Sequence, residues 1–255
     1  MARQPFFRLV FVTVAAVGLA GLAATAFLFP SRLTSVERGR RLAEAQGCFA
    51  CHGPEGTSGA GNPGRTDRTV PTYRSLMMYA SNREEVRQWI ADGVSRTRAQ
   101  SETWRKERAR GVLQMPAYGE RLTKRQIDDL VAFVLAAAGE PAPEDSLARA
   151  GLERAEALGC TGCHGEGGRY ARRNPGSLKG YVPSWDGDDW PELVRNEAEF
   201  REWVERGIST RLEQNAIARF FLDRAALRMP AYRGRLEPGD LAALWAYIAW
   251  LRTSR

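Results

Sequence analysis

Four cysteines and two histidines make up the whole complement of those residues in this 255-residue chain. All six fall into two short strings, Cys48-Phe-Ala-Cys51-His52 and Cys160-Thr-Gly-Cys163-His164. Two thiols three residues apart lie one turn apart on a helix, where each can add across a porphyrin vinyl group as a thioether. The next residue then projects an imidazole beneath the metal. The chemistry this spacing points to is covalent heme attachment, with Cys48, Cys51, Cys160 and Cys163 as thioether sites and His52 and His164 as proximal iron ligands. A zinc site would have to share ligands between two strings that are each complete, and it gives no reason for His at the same step twice. A thioredoxin-like dithiol needs no His there and sits in a strand–helix fold.

The same count excludes other chemistry. No Cys is left for a disulfide or a thiolate nucleophile, and no His for an acid–base dyad, a catalytic triad or a two-His metal site.

Around the two strings the sequence repeats itself. Gly39, Ala43, Ala45 and Gly47 return 112 positions later as Gly151, Ala155, Ala157 and Gly159. Asn62-Pro63-Gly64 returns as Asn174-Pro175-Gly176, and Val70-Pro71 as Val182-Pro183. From Asn82 onward the offset is 114, so that Trp89, Gly93, Met115-Pro116-Ala117-Tyr118 and Leu122 match Trp203, Gly207, Met229-Pro230-Ala231-Tyr232 and Leu236. A single duplication of about 110 residues predicts two globular domains rather than a solenoid. The Pro-bearing acidic stretch from Gly139 to Ser146 reads as their linker.

Repetition also singles out two of the five methionines. Met1 opens the chain, and Met77 and Met78 have no counterpart in the second copy, whereas Met115 and Met229 recur inside the same string. Met usually fills core space. Here no second imidazole is available, so the soft sulfurs of Met115 and Met229 are the expected second axial ligands.

The elements around these residues read as helical. Ile127, Leu130, Val131 and Val134 fall at i, i+3, i+4 and i+7, as do Leu241, Leu244, Trp245 and Ile248. Thr123 with Gln126 forms a capping box, and Glu237-Pro238 marks the expected start of the matching helix. A middle helix carries Val86, Trp89 and Ile90 and stops at Gly93; its copy carries Phe200, Trp203 and Val204 and stops at Gly207. No alternating strand pattern of useful length is present, and the expected class is all-α. The longer stretches before each Met, basic over 95–111 and more apolar over 215–227, read as extra helices over the heme edge, or in the first case as a solvated charged face.

Leu9 to Phe29 is an uncharged run of twenty-one residues flanked by Arg3 and Arg8 on one side and Pro30 on the other. As a helix it is about 31 Å long, enough to cross a bilayer core. Residues 1–30 are therefore expected to be a transmembrane anchor. A cleavable signal peptide ending near Ala24-Thr25-Ala26 is the competing reading. Either one exports the rest of the chain, which divides into residues 31–139 and 140–255.

The net charge of +7 is uneven. Residues 31–139 hold eighteen Lys and Arg against twelve Asp and Glu, and residues 140–255 hold seventeen against eighteen. Acidic residues are interleaved throughout and no nucleic-acid motif occurs, so the basic excess suits an acidic partner or an anionic headgroup surface and not a nucleic acid.

On the heme strings, the Met-Pro dipeptides and the closing amphipathic helices, the chain resembles the class I c-type cytochromes, in a fused diheme form. The resemblance covers nearly everything beyond the apolar segment. It implies two covalently bound hemes c, Met115 and Met229 as axial ligands, and a Pro carbonyl accepting a hydrogen bond from the far nitrogen of each proximal His; by position these would be Pro63 and Pro175. The layout is similar to diheme subunits of quinol–cytochrome c reductases and of some terminal oxidases. The resemblance thus implies a bacterial inner-membrane protein with its heme domains on the periplasmic side, passing single electrons between redox proteins of such a complex. A six-coordinate iron has no open position, so no small-molecule substrate and no enzyme activity are expected. The alternative is a diheme redox enzyme of peroxidase or thiosulfate dehydrogenase type with one open heme.

Replacing Cys48 and Cys51 together with Ala is expected to leave a chain carrying one covalent heme. Mass measurement and heme staining after denaturation check this; an unchanged heme content would refute the assignment of the first string.

Overall fold

In a computed structural model, residues 33–254 of the chain are described. The expected anchor, residues 1–30, lies outside them. Among the described residues no helix is long and apolar enough to cross a membrane.

The first repeat runs α1 (Ser35–Ala45), α2 (Cys48–His52), α3 (Arg83–Asp92), α4 (Arg96–Gln100), α5 (Glu102–Arg110) and α6 (Lys124–Ala137). The second runs α7 (Ser146–Ala157), α8 (Thr161–His164), α9 (Trp190–Leu193), α10 (Glu197–Arg206), α11 (Thr210–Glu213), α12 (Ala216–Arg224) and α13 (Asp240–Thr253). Starts and stops obey local chemistry. Asn82 and Asn196 cap α3 and α10 by accepting from the third backbone N–H, and Gly93 and Gly207 end them in the left-handed region at φ 72° and 79°. The Thr123–Gln126 capping box is present in both directions. In the second copy the closing helix starts at Asp240, later than Glu237-Pro238 suggested. The Asp240 carboxylate takes the Glu237 N–H at 2.7 Å, which turns that dipeptide into a lead-in.

In each repeat the first and last helices cross in contact, α1 on α6 and α7 on α13. The crossing is close because a glycine sits at it. A Cβ on Gly39 would lie 1.9 Å from the Asp129 carbonyl oxygen, and one on Gly151 would lie 2.0 Å from that of Ala243. Arg38 then grips Asp129 with two bonds of 2.8 and 2.7 Å, and Arg154 reaches Asp240 at 2.8 Å. The apolar stripes close over this crossing. Tyr73, Val86, Ile90, Leu130 and Phe133 form one core, and Trp185, Phe200, Val204, Leu244 and Tyr247 the other.

All-α describes the fold except at one place. Arg172–Arg173 pairs antiparallel with Tyr181–Val182 as β1 and β2, where the first repeat has one isolated bridge, Gly61 to Thr69. Two residues per strand are too few to leave an alternation in the sequence.

The repeats pack into one compact unit beginning at Leu33. Tyr170 stands where the first repeat has Ser58, and it crosses into the other half. Its ring is buried in the first repeat's core, edge-on to Phe133 at 5.7 Å. Its hydroxyl donates to the Glu55 carboxylate at 2.9 Å. Arg172 pairs with Glu55 at 2.8 Å, the Ala171 N–H donates to the buried Glu37 carboxylate at 3.2 Å, and Arg74 pairs with Glu166 at 2.6 Å. The linker is held too: Pro143 is fully buried, and Arg169 donates to the carbonyls of Glu140 and Pro141.

Removing the Tyr170 ring is therefore expected to be felt in the half of the chain that does not contain it. Tyr170→Ala should destabilise by about 3 kcal/mol, as for other buried aromatic truncations. The loss should appear as faster hydrogen exchange at Phe133 and its neighbours in α6. Changes confined to residues beyond 140 would contradict the packing.

Candidate heme sites

Each heme string forms a helix of about one turn bounded by glycines. Gly47 enters α2 at φ 75° and Gly53 leaves it at φ 72°; Gly159 precedes Cys160 and α8 at φ 75°, and Gly165 ends it at φ 76°. One turn is enough to bring both thiols and the imidazole to one end of the domain. None of the four cysteines is in a disulfide. Burial raises the Cys48 and Cys160 thiols above the ordinary range, with the Tyr118 and Tyr232 hydroxyls opposing the shift.

The imidazoles are fixed from behind. His52 Nδ1 lies 2.7 Å from the Pro71 carbonyl oxygen, and His164 Nδ1 lies 3.2 Å from that of Pro183. Because a carbonyl can only accept, Nδ1 carries the proton in both rings and Nε2 keeps its lone pair. Burial lowers the His52 pKa and pushes that of His164 down to about 4, with the Pro carbonyls opposing the shift, so both rings are neutral at pH 7. Tyr73 and Trp185 lie over the rings at 5.0 and 5.1 Å, backed edge-on by Phe133 and Tyr247.

Here the expectation for Pro63 and Pro175 is corrected. Their carbonyls do not face the histidines; they accept from the N–H groups of Val112 and Ala226, at 3.2 and 2.9 Å. The loop between each heme string and its acceptor is long enough to hold two Pro-containing segments. The nearer one turns away to brace the strand that leads to the Met. Val70-Pro71 and Val182-Pro183 repeat at the same offset, so the signal for the true acceptor was present in the sequence. Tyr73 and Trp185 each lie two residues beyond their acceptor proline. They escaped notice because Tyr in one copy and Trp in the other do not register as a repeat.

Met115 and Met229 are half-buried and pack against the two cores. The strand after each Met is tied to the end of the middle helix. Tyr118 N–H donates to Ile90 at 3.1 Å and Gly119 N–H to Ala91 at 2.9 Å; Tyr232 N–H donates to Val204 at 2.9 Å. A Cβ on Gly93 would come within 2.5 Å of the Met115 carbonyl oxygen, and one on Gly207 within 2.3 Å of that of Met229. The helix stop that the sequence displays is thus also the seat of the Met strand.

The two stretches before the Met strands are helical, as expected. α5 is mostly exposed, with Trp104 drawn in edge-on to Trp89 at 5.8 Å and the Arg65 and Arg98 guanidiniums over its ring at 4.8 and 4.6 Å. α12 instead exposes Ile217 and Phe220.

These residues fit a covalently held heme in each repeat. The thiols and the imidazole share one end of a helix turn, Nδ1 is occupied, and Nε2 has no protein partner among the described residues. Residues 36–138 match the family model described as Cytochrome c, and residues 146–248 match the one described as Cytochrome C oxidase, cbb3-type, subunit III. No curated protein and no solved structure matches the chain. Fold and site together define two cytochrome c domains in tandem. The chain belongs to the c-type cytochromes, and its two domains bind two covalently attached hemes c.

The acceptor for each imidazole is a main-chain carbonyl, so Pro71→Ala keeps it. That change is expected to cost about 1 kcal/mol or less, through the greater freedom of the unfolded chain. Covalent heme content and the spectrum of the first heme should be unchanged. Loss of heme would mean that the Pro ring itself holds the site.

Proposed function

We propose that this protein is a membrane-anchored diheme c-type cytochrome that passes single electrons between redox partners, each iron held by one His and one Met: His52 with Met115, and His164 with Met229. The observation that carries the reading is the duplicated arrangement of a neutral imidazole with Nε2 free and a Met strand seated on the neighbouring helix end. Bound there, heme supplies a one-electron couple. The chain does the rest: the Pro71 and Pro183 carbonyls orient the imidazoles and raise their basicity, the thioethers hold the group permanently, and the aromatic residues behind the rings exclude water. A Met115 or Met229 sulfur on the iron would fill the position that oxygen or a substrate needs and would favour the reduced state.

The Leu9–Phe29 segment supports anchoring in the inner membrane, with the heme domains on the periplasmic side where attachment occurs. The basic excess of residues 31–139 suits docking to an acidic redox partner. The subunit III likeness of residues 146–248 favours a terminal oxidase as the complex, with a quinol–cytochrome c reductase as the other candidate.

Carbon monoxide titration of the reduced protein tests the reading. A carrier with both irons six-coordinate binds none rapidly, whereas stoichiometric rapid binding would point to the peroxidase or thiosulfate dehydrogenase type of enzyme. Met115→His and Met229→His should each keep covalent heme, lower one potential and remove about half of the sulfur-to-iron absorption. Met77→Leu and Met78→Leu should do neither, since both side chains are exposed.

A further inference from the structure

Asn62 and Asn174 recur at the same step of the repeat, yet neither thioether attachment nor the bond to the proximal imidazole uses them. Both are buried, at 2% and 5% exposure. Each turns its side-chain amide edge-on to a single backbone residue. Asn62 Nδ2 donates to the Leu113 carbonyl at 2.9 Å while its Oδ1 accepts from the Leu113 N–H at 2.9 Å. Asn174 makes the same pair with Leu227, at 3.0 and 2.8 Å. The amide stands in for a neighbouring strand, satisfying a donor and an acceptor at once.

The clamped residue comes two positions before the Met in both repeats. The clamp is itself anchored, since the Asn62 N–H donates to Arg68 and the Asn174 N–H to Gly180, each at 2.7 Å. The next carbonyl in each, that of Pro63 or Pro175, takes the N–H of Val112 or Ala226. Three hydrogen bonds thus hold the chain on the N-terminal side of each Met, opposite the Tyr118 and Tyr232 bonds on the other side. Apolar packing does not do this work, because the Leu113 and Leu227 side chains are 37% and 41% exposed.

We propose that Asn62 and Asn174 are positioning residues for the axial sulfurs, setting where Met115 and Met229 sit and opposing their departure from the iron. The proposal rests on the His/Met reading above. A ligand whose strand is pinned on both sides has a high effective concentration at the metal. With one side released, the fraction of molecules in which the sulfur has left rises, and a competing ligand gains apparent affinity in proportion.

The test is an imidazole titration of the ferric full-length holoprotein, monitored separately at each heme. Asn62→Leu removes both bonds at similar volume and is expected to raise the first heme's imidazole affinity about tenfold, corresponding to about 1.4 kcal/mol. The second heme should match the unsubstituted protein; Asn174→Leu should give the mirror result. Asn62→Asp serves if the Leu variant does not fold. Its carboxylate keeps the acceptor but repels the Leu113 carbonyl, and on protonation it donates again. Its imidazole affinity should therefore fall back toward that of the unsubstituted protein, compared at the same pH, as the pH is lowered. Met115→Ala separates the two ideas. If it raises imidazole affinity while both Asn62 variants behave as the unsubstituted protein, the clamp is refuted and sulfur ligation stands. If Met115→Ala alters neither the affinity nor the sulfur-to-iron absorption, ligation fails and the clamp with it. An Asn62 effect spread equally over both hemes would mean general loosening and would also overturn the proposal.

Discussion

The bond between each histidine Nδ1 and a proline carbonyl is the constraint on which the rest depends. A free imidazole can present either nitrogen and rotate about two side-chain bonds. With Nδ1 committed to Pro71 or Pro183, one tautomer remains and the ring plane is set. The acceptor must then be held as firmly as the ring. Tyr73, two residues beyond Pro71, lies over His52 and packs edge-on against Phe133 of α6. Phe133 is carried on the helix that crosses α1 at Gly39, so the helix crossing, the aromatic stack and the imidazole are parts of one chain of contacts. Trp185, Tyr247 and Gly151 repeat it with different side chains in the second half.

The duplication preserved backbone relations and let surfaces diverge. The Asn caps and glycine stops of the middle helices, the proximal bond and the close seat of each Met carbonyl on a helix-ending glycine are the same in both copies. Outside them, the pairs differ in kind. Where the first copy has Arg98 and Trp104, with Arg98 over the indole ring, the second has Leu212 and Ala218. Lys179 in the second pairs with Asp189 and Glu192, at a position that is Asp67 in the first and pairs with Arg65. A charge can change sign at such a half-buried position provided its partner changes as well, because an unpaired buried charge is costly.

The sequence displayed the heme strings, the repeat, both closing helices and the glycine helix stops, and each of these takes its place in the structure, although the second closing helix is apolar nearly all round and not amphipathic like the first. Those features are legible because they rest on residue type at fixed local spacing. What escaped was of another kind. The proximal acceptor is a carbonyl, which every residue possesses, so only the folded path of the loop distinguishes Pro71 from Pro63. The Tyr170 contact joins residues from opposite repeats, and a Tyr replacing a Ser at one position of a degenerate repeat looks like ordinary drift. The β1–β2 ribbon is too short to carry a pattern at all.

That seam between the repeats has an unusual composition for a surface that must hold two domains together. There the Tyr170 ring enters the first repeat's core with Glu55 and Arg172 beside it, and the next residue's N–H meets Glu37, which also pairs with Arg40 and Arg41. Burying carboxylates is costly unless each is paired, and a fully paired set roughly offsets its own desolvation instead of adding much stability. Glu37 meets this condition with two guanidiniums and the Ala171 N–H; Glu55 meets it with Arg172 and the Tyr170 hydroxyl. The apolar ring supplies the attraction, and the charges penalise any arrangement that leaves one of them unpaired. Directional bonds of this kind discriminate between relative placements of the two halves in a way that a smooth apolar face would not. Two domains built from one ancestral plan thereby acquire a defined mutual orientation through a few residues that the plan itself did not contain.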